Sequence, residues 1–585
     1  MNLKNIKITF LSLLALSLAN MMQAAEYTYS PSQASTISGK TFAAGDVITL
    51  ENGNWENVTL RLRGTGTADN QITFKARTAG KVIFTGSSTL NIDGKYIKVS
   101  GLLFEGNSTV GKTSVITFSK NSADCRLTNS AIRNYNPADE SVWAATDNKW
   151  VSMYGIHNRV DHCYFEGKGN IGTLLVVWLV SGQTAKHKID QNHFYKRVSL
   201  LDENGKERNG QEIIRVGDSN TSMTDAQCTI ERNFFEECNG EVELISNKSC
   251  GNTYRYNVFY NNNATLTLRH GNNCKVYGNY FLGNNLSKAG GVRIIGEDHK
   301  VYNNYFQDIQ GSGYRSALCI VNGKTNSALN EYFQVKNAFV AFNTFYNCKN
   351  VFTIGYDGGK ELAPVGCTIA HNVVFAASNS QTGVNIANAQ SEITWKNNLM
   401  YQGRFTYFSP SATEFARTTT NLNFQASNPA YGIYRPTSQS VITTSYKTSD
   451  NPEITTDIEG RPRPSQRMIG AFEITGGGTI EMPTPQNVGC TFINKSTSRI
   501  AVAAINNTDS FIDKVYVNGR EVHVILQSEI KSIKVYNLQR QIVYMPDFAN
   551  DAKLLHFQLP NNLEGIYLLA FDNGYTTQTQ KIVLK

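Results

Sequence analysis

One phrase recurs down this chain and limits what it can fold into. KYIKVSGLLF is followed by CRLTNSAI, NRVDHCYF, HKIDQNHF, CTIERNFF, NTYRYNVF, CKVYGNYF, HKVYNNYF, AFVAFNTF, CTIAHNVVF and ITWKNNLM. Each phrase alternates apolar and polar residues as a short strand does, then breaks at an Asn or Ser and resumes on apolar or aromatic residues. Asn233, Asn257, Asn279 and Asn304 are spaced 24, 22 and 25 apart. Elsewhere the gap widens, as loops inserted on one side of a coil would make it. A period in the low twenties, strand-like and without helical periodicity, predicts an all-β chain: a right-handed parallel β-helix. A leucine-rich repeat would need a leucine spacing that is absent. The recurrent Asn is expected to stack as a hydrogen-bonded ladder at a turn, and the aromatic pairs to fill the bore.

Such a coil accommodates several hundred of the 585 residues as one elongated domain. The formal net charge of +8 is not gathered into basic runs, which suits an acidic ligand and argues against a nucleic-acid tail. Residues 1–24 read as a signal peptide: Lys4 and Lys7, an apolar core ITFLSLLALSLA, and a cleavage site at Met22-Gln23-Ala24. No later stretch is apolar enough to span a membrane, so an exported protein is expected. The ten cysteines do not read as disulfides. Cys125, Cys228, Cys274 and Cys367 each open the repeated phrase, where a thiol serves as a small buried hydrophobe. There is no CxxC pair to hold zinc. The β-helix is expected over 25–475, ending at DIEGRPRPSQRMIGAFE, and Gly476-Gly477-Gly478 with Pro483–Gln486 reads as a linker over 476–489. Strand-like alternation in IKSIKVYNLQRQIVYM, EGIYLLAFDNG and TQKIVLK predicts a small β-sandwich over 490–585.

The chemistry concentrates in Asn239–Gly271, NGEVELISNKSCGNTYRYNVFYNNNATLTLRHG. Glu241 and Glu243 sit two apart in a strand-like run, which points both carboxylates to one face. Lys248 follows at a bend, and Arg269-His270 comes about one coil later, so Arg269 is expected to stack above Lys248. In the preceding coil Asn209-Gly210-Gln211 parallels Asn239-Gly240-Glu241 and offers a further oxygen, from Asn209 or Gln211. Oxygen ligands of this kind suit calcium. The set fits removal of a proton α to a carboxylate, a step the carboxylate's own charge opposes until a cation neutralises it. Lys248 is then the base, and Arg269 stabilises the developing charge or protonates the leaving oxygen. Taken singly, each residue has a plainer reading: a solvated carboxylate face, surface ion pairs for Arg215, Arg269 and Arg293, a turn histidine at His270. The conjunction on adjacent coils favours the chemical one. A pectin-type hydrolase would need paired aspartates, which the central coils lack, and a non-catalytic glycan-binding repeat protein would need no lysine here.

These motifs resemble polysaccharide lyase family six, the calcium-dependent alginate lyases and chondroitinase B. The resemblance covers most of 26–475, through GDVITLENGNW, GTGTADNQITFKARTAGKVIFTG, GRPRP and IGAFE as well as the central motifs. It implies calcium ligands at Glu241 and Glu243 with Asn209 (or Gln211) as the third, the base at Lys248, and the acid at Arg269. It also places His270 beside the uronate, with Arg215 and Arg293 on substrate carboxylates. One arginine on successive or near-successive coils matches a polymer with a carboxylate on every sugar, so alginate is expected over dermatan sulfate. Through VYNLQRQIV, EGIYLL and KIVLK the C-terminal region is similar to a type IX secretion sorting domain.

Overall fold

The computed structural model describes residues 24–356, 358–428 and 431–493, and within the C-terminal region 512–518, 520–526, 530–537, 541–547, 554–572 and 577–584. The expected signal peptide, apart from Ala24, lies outside the described residues. The chain divides into two compact units, Met1–Gln425 with Tyr434–Lys495, and Ala426–Ile433 with Ser496–Lys585.

The first unit is a parallel β-helix of three sheets, each with 14 strands. A typical coil gives one strand to each sheet, as in Thr253–Arg255, Val258–Tyr260 and Thr265–His270. The turn between the first and second strands explains the repeated phrase. The residue before the Asn adopts positive φ: Arg232 at 54°, Tyr256 at 57°, Asn303 at 53°. In one coil that residue is a glycine, Gly278 at 70°. The Asn that follows secures the turn to the next coil. The Nδ2 of Asn233, Asn257 and Asn279 donates to Oδ1 of the next ladder Asn at 3.0, 3.0 and 2.9 Å. The same Oδ1 accepts the backbone N–H of the Asn before it, as Asn279 does from Asn257 at 3.0 Å. A buried carboxamide is tolerated only when its donors and acceptors are matched, and here they are matched by the repeat itself. Beside the ladder, Phe194, Phe235, Phe259, Phe281 and Phe306 stack through the bore at 4.6–4.9 Å between ring centroids. The ten cysteines are free, and Cys125, Cys228, Cys274 and Cys367 are buried.

Two boundaries differ from the sequence expectation. The coil ends with Arg404–Thr406 and Phe415–Thr418. The stretch expected as its last phrase instead lies along the outside, where Arg463 pairs with Glu473 at 2.8 Å and donates to Asn303 Oδ1 at 2.8 Å. The chain then runs back along the helix: Gly470 N–H reaches His371 O, Gly489 N–H reaches Gln191 O, and Thr491 N–H reaches Asn129 Oδ1. Cys490 is buried among Leu103, Ala131, Tyr164 and Tyr195. Residues 476–489 are therefore part of a lengthwise strap, and 490–493 belong to the β-helix unit; an apolar strip on the second sheet's outer face, invisible in the local sequence, holds them there.

In the second unit, a three-stranded antiparallel sheet (Ile512–Asn518, Glu521–Leu526, Leu554–Gln558) and a four-stranded one (Ser532–Tyr536, Ile542–Tyr544, Gly565–Asp572, Thr577–Leu584) share one core. Val522, Val524, Ile533, Val535, Leu569 and Phe571 fill it, giving the expected sandwich. Among the described residues no helix is long and apolar enough to cross a membrane.

Candidate active site on the third sheet

Four neighbouring strands of the third sheet carry the candidate residues: Ile214–Val216, Glu243–Lys248, Thr265–His270 and Val292–Ile294. Their register aligns Arg215, Ser246, Thr267 and Arg293 in one row on the outer face. The flanking Ile214, Val216, Leu266, Leu268, Val292 and Ile294 point into the core, as strand alternation requires. Each of the four strands thereby presents a cation outward: Arg215, Lys248, Arg269 and Arg293.

Arg269 does not stack above Lys248 as expected. The register shifts between Asn247 and Lys248, and Lys248 pairs with His270. Arg269 is the extra residue of this irregularity, which re-aims its side chain. Its guanidinium then meets a loop 60 residues downstream, donating from Nη1 to Glu331 O at 2.6 Å and from Nη2 to Asn330 O at 3.3 Å. It also lies over the Tyr332 ring, 4.1 Å from the centroid. Lys248 is half-buried at its strand end. His270 is 2% exposed, and burial, with Arg269 and Lys248 beside it, pushes its pKa down to about 4. It is neutral at pH 7.

The carboxylates are buried and differently partnered. Glu243 Oε1 takes an ion pair from Arg293 and lies 3.7 Å from Arg269 Nε, while Ser246 Oγ donates to its Oε2 at 2.5 Å. Burial alone would raise its pKa, but Arg293 and Arg269 hold it below the usual carboxylate range. Glu241 is held differently. Its Oε1 accepts the N–H groups of Gly210 and Gln211 at 3.0 and 2.8 Å, yet burial and the charges of Glu212 and Glu243 push it up to about 8. The side chain of Gln211 is turned away, bound to Leu200 and Arg208 backbone groups at 2.7–3.0 Å. Asn209 is exposed. Among the described residues no group of three or more acidic, histidine or cysteine side chains is placed to hold a metal ion. Asn209, Glu241 and Glu243 offer oxygens of the kind a hard cation takes, and Glu241, kept protonated chiefly by its burial, would have to ionise to serve as a ligand.

Several contributors were not singled out from sequence. Glu212, 3% exposed, accepts Thr173 Oγ1 at 2.7 Å and faces Glu241. Arg197, fully buried and lowered to about 10 by burial, lies close enough to both glutamates for their charges to offset that effect. Arg215 stacks on Trp178 at 5.2 Å and Arg293 on Tyr314 at 5.0 Å. Lys360 Nζ lies 4.0 Å from the Tyr332 centroid and donates to Tyr314 Oη at 2.9 Å. An acidic residue beside the Asn-Gly-Gln phrase was the one available signal for Glu212; the aromatic partners sit in irregular loops with none.

Fold and site together define a parallel β-helix protein with a cationic outer face set around buried carboxylates. The chondroitinase B family model matches residues 34–438, and the chain belongs to that family, polysaccharide lyase family six. Among solved structures it is similar to the PL6 family alginate lyase AlyGC, at 30% identity and a TM-score of 0.67. That match covers 81% of this chain and 59% of AlyGC, so this chain spans about three fifths of AlyGC's length. A mannuronic acid specific polysaccharide family 6 lyase from human gut microbiota matches at 28% identity and a TM-score of 0.60, covering 67% of this chain and 91% of that one. The PL6 family polysaccharide lyase Pedsa3628 from Pseudopedobacter saltans matches at 26% identity and 0.54, covering 66% and 96%. No curated protein matches the chain.

Proposed function

We propose that the protein is a polysaccharide lyase that cleaves alginate by β-elimination, leaving an unsaturated uronate end, with calcium at Glu241 and Glu243. The observation that carries this reading is the set of outward cations, one on each of four adjacent strands though not in one register row, beside two buried carboxylates. Adjacent strands lie about 4.8 Å apart, roughly one sugar residue, so one cation per strand suits a polymer with a carboxylate on every sugar. Family membership and the similarity to structures named as alginate lyases point the same way.

In this reading Lys248 takes the proton from C5 of the uronate. The freed electron pair forms the C4–C5 double bond, the C4–O bond breaks, and the leaving oxygen gains a proton on the side of Arg269. Calcium, when bound, neutralises the uronate carboxylate and so stabilises the charge that develops beside it. Neutral His270 adds no competing charge next to Lys248 and offers a hydrogen bond to the sugar. Arg215 serves a neighbouring carboxylate. Arg293, ion-paired with Glu243, stands on the next strand but one and would share its charge between that carboxylate and a uronate. The leader-like residues 1–24 and the C-terminal sandwich are proposed to export the enzyme and sort it to the surface.

The test is a panel of alginate, pectate and dermatan sulfate with and without calcium, read by the ultraviolet band of the unsaturated uronate. Alginate should give the signal and lose it on chelation. Signal from dermatan sulfate alone overturns the substrate, and full activity in chelator overturns the cation.

A further inference from the structure

We infer that Tyr332, on the loop inserted between Leu318–Val321 and Phe339–Ala341, is a positioning residue for Arg269. The inference rests on the proposed place of Arg269 at the leaving oxygen. An arginine on a strand bulge, reaching out from the sheet, has four rotatable side-chain bonds, and on the sheet side only the 3.7 Å approach of Nε to Glu243 Oε1 to hold its pose. The loop supplies the closer contacts. Two of its carbonyls, Asn330 O and Glu331 O, accept from the two Nη groups, and the guanidinium carbon lies over the Tyr332 ring, 4.1 Å from its centroid. A planar guanidinium stacks well on an aromatic face, and the face takes none of its N–H donors. The ring packs on the group without taking an N–H donor; Nε faces Glu243 Oε1 at 3.7 Å, and the Nη hydrogens not given to the loop are left to the cleft.

The loop is itself held. Lys324 N–H donates to Tyr332 O at 2.8 Å, Gly323 and Leu362 exchange backbone hydrogen bonds at 2.7 and 2.9 Å, and Thr325 N–H reaches Glu361 Oε1 at 2.7 Å. Asn322 Nδ2 donates to Lys360 O at 2.9 Å, and Lys360 Nζ lies 4.0 Å from the same Tyr332 ring. The ring is half-buried and stands within about 4 Å of both cations. It packs on Ile295, Cys319 and Val321 of the sheet face together with Tyr314 and Tyr356. Tyr332 thus ties the position of Arg269 to the sheet through a loop that the repeat does not specify.

The experiment compares Tyr332→Phe, Tyr332→Leu and Arg269→Ala in the full chain, with kcat and KM on alginate and the melting temperature of each. Misplacing a group that acts on the leaving oxygen costs rate rather than binding. Tyr332→Leu should lower kcat about 10- to 100-fold with KM within about threefold and the melting temperature unchanged. Tyr332→Phe, which keeps the face, should stay within about threefold of wild type. In an Arg269→Lys background, where no planar group remains to stack, the loss from Tyr332→Leu should shrink to less than about threefold. Wild-type kcat in Tyr332→Leu overturns the inference, as does a Phe variant as slow as the Leu variant, which would assign the effect to the hydroxyl. Should the Leu variant melt early, Tyr332→Met takes its place in every comparison and carries the same expectations. A fully active Arg269→Ala sinks the underlying role and this inference with it; an inactive Arg269→Ala beside a fully active Tyr332→Leu sinks this inference alone.

Discussion

Replacing Glu241 with Gln should stabilise the protein at high pH and leave it unchanged at low pH, provided no divalent cation is present. Burial and the neighbouring carboxylates of Glu212 and Glu243 push Glu241 from an ordinary 4.5 up to about 8. A folded-state value above the unfolded one means that the folded chain keeps a proton the unfolded chain has released. Stability therefore falls as pH rises from about 4.5 to about 8 and is unaffected below that window. At about 1.4 kcal/mol per pH unit, the whole interval is worth roughly 5 kcal/mol at most. Gln keeps a carbonyl oxygen for the Gly210 and Gln211 N–H groups and never ionises, so it removes the penalty without removing those bonds. For a cooperative unit of some 460 residues the entropy of unfolding is about 1 kcal/mol per degree, so the variant should melt up to about 5 °C above wild type at pH 8.5 and level with it at pH 4.5. The assay is thermal melting in chelator across that range. Calcium added at pH 8.5 should raise the wild type and close the gap. A gap independent of pH, or a variant that melts below wild type at pH 8.5, would refute the reasoning.

Asn279→Ala cuts the ladder in mid-coil. It removes donors to Asn304 Oδ1, Tyr254 O and Tyr277 O and leaves Asn257 without its acceptor, so a loss of about 3–5 kcal/mol is expected, checked by denaturant unfolding. A chain ending at residue 475 should be less soluble than one ending at 495, because only the longer one covers Leu103, Ala131, Tyr164 and Tyr195; equal solubility and equal melting temperature would show the strap to be idle.

The coil was legible because its signals are local and repeated. The turn Asn and the bore phenylalanines recur once per coil at a spacing the eye can count, and a cysteine returns to one position in several coils. What the repeat does not carry stayed hidden. Counting 21 positions from Lys248 to Arg269 misses a register shift, and the shift puts His270 in the expected place. The Arg293–Glu243 pair bridges 50 residues, and Thr491 meets Asn129 across 362. Neither leaves a mark on the local pattern. Gln211 shows the same limit at short range: its spacing matches a ligand position, but the backbone of its own loop claims its side chain.

The central claim, elimination rather than hydrolysis with Lys248 as the base, is tested most directly by counting two products in one digest. Alginate treated with the wild type should give one unsaturated uronate for every new reducing end, read by ultraviolet absorbance against a reducing-sugar assay. Lys248→Ala, half-buried at a strand end and so without a core cavity to leave, should melt like the wild type and give neither product. New reducing ends without the chromophore would mean hydrolysis, and a Lys248→Ala variant that still makes both at the wild-type rate would take the lysine out of the mechanism.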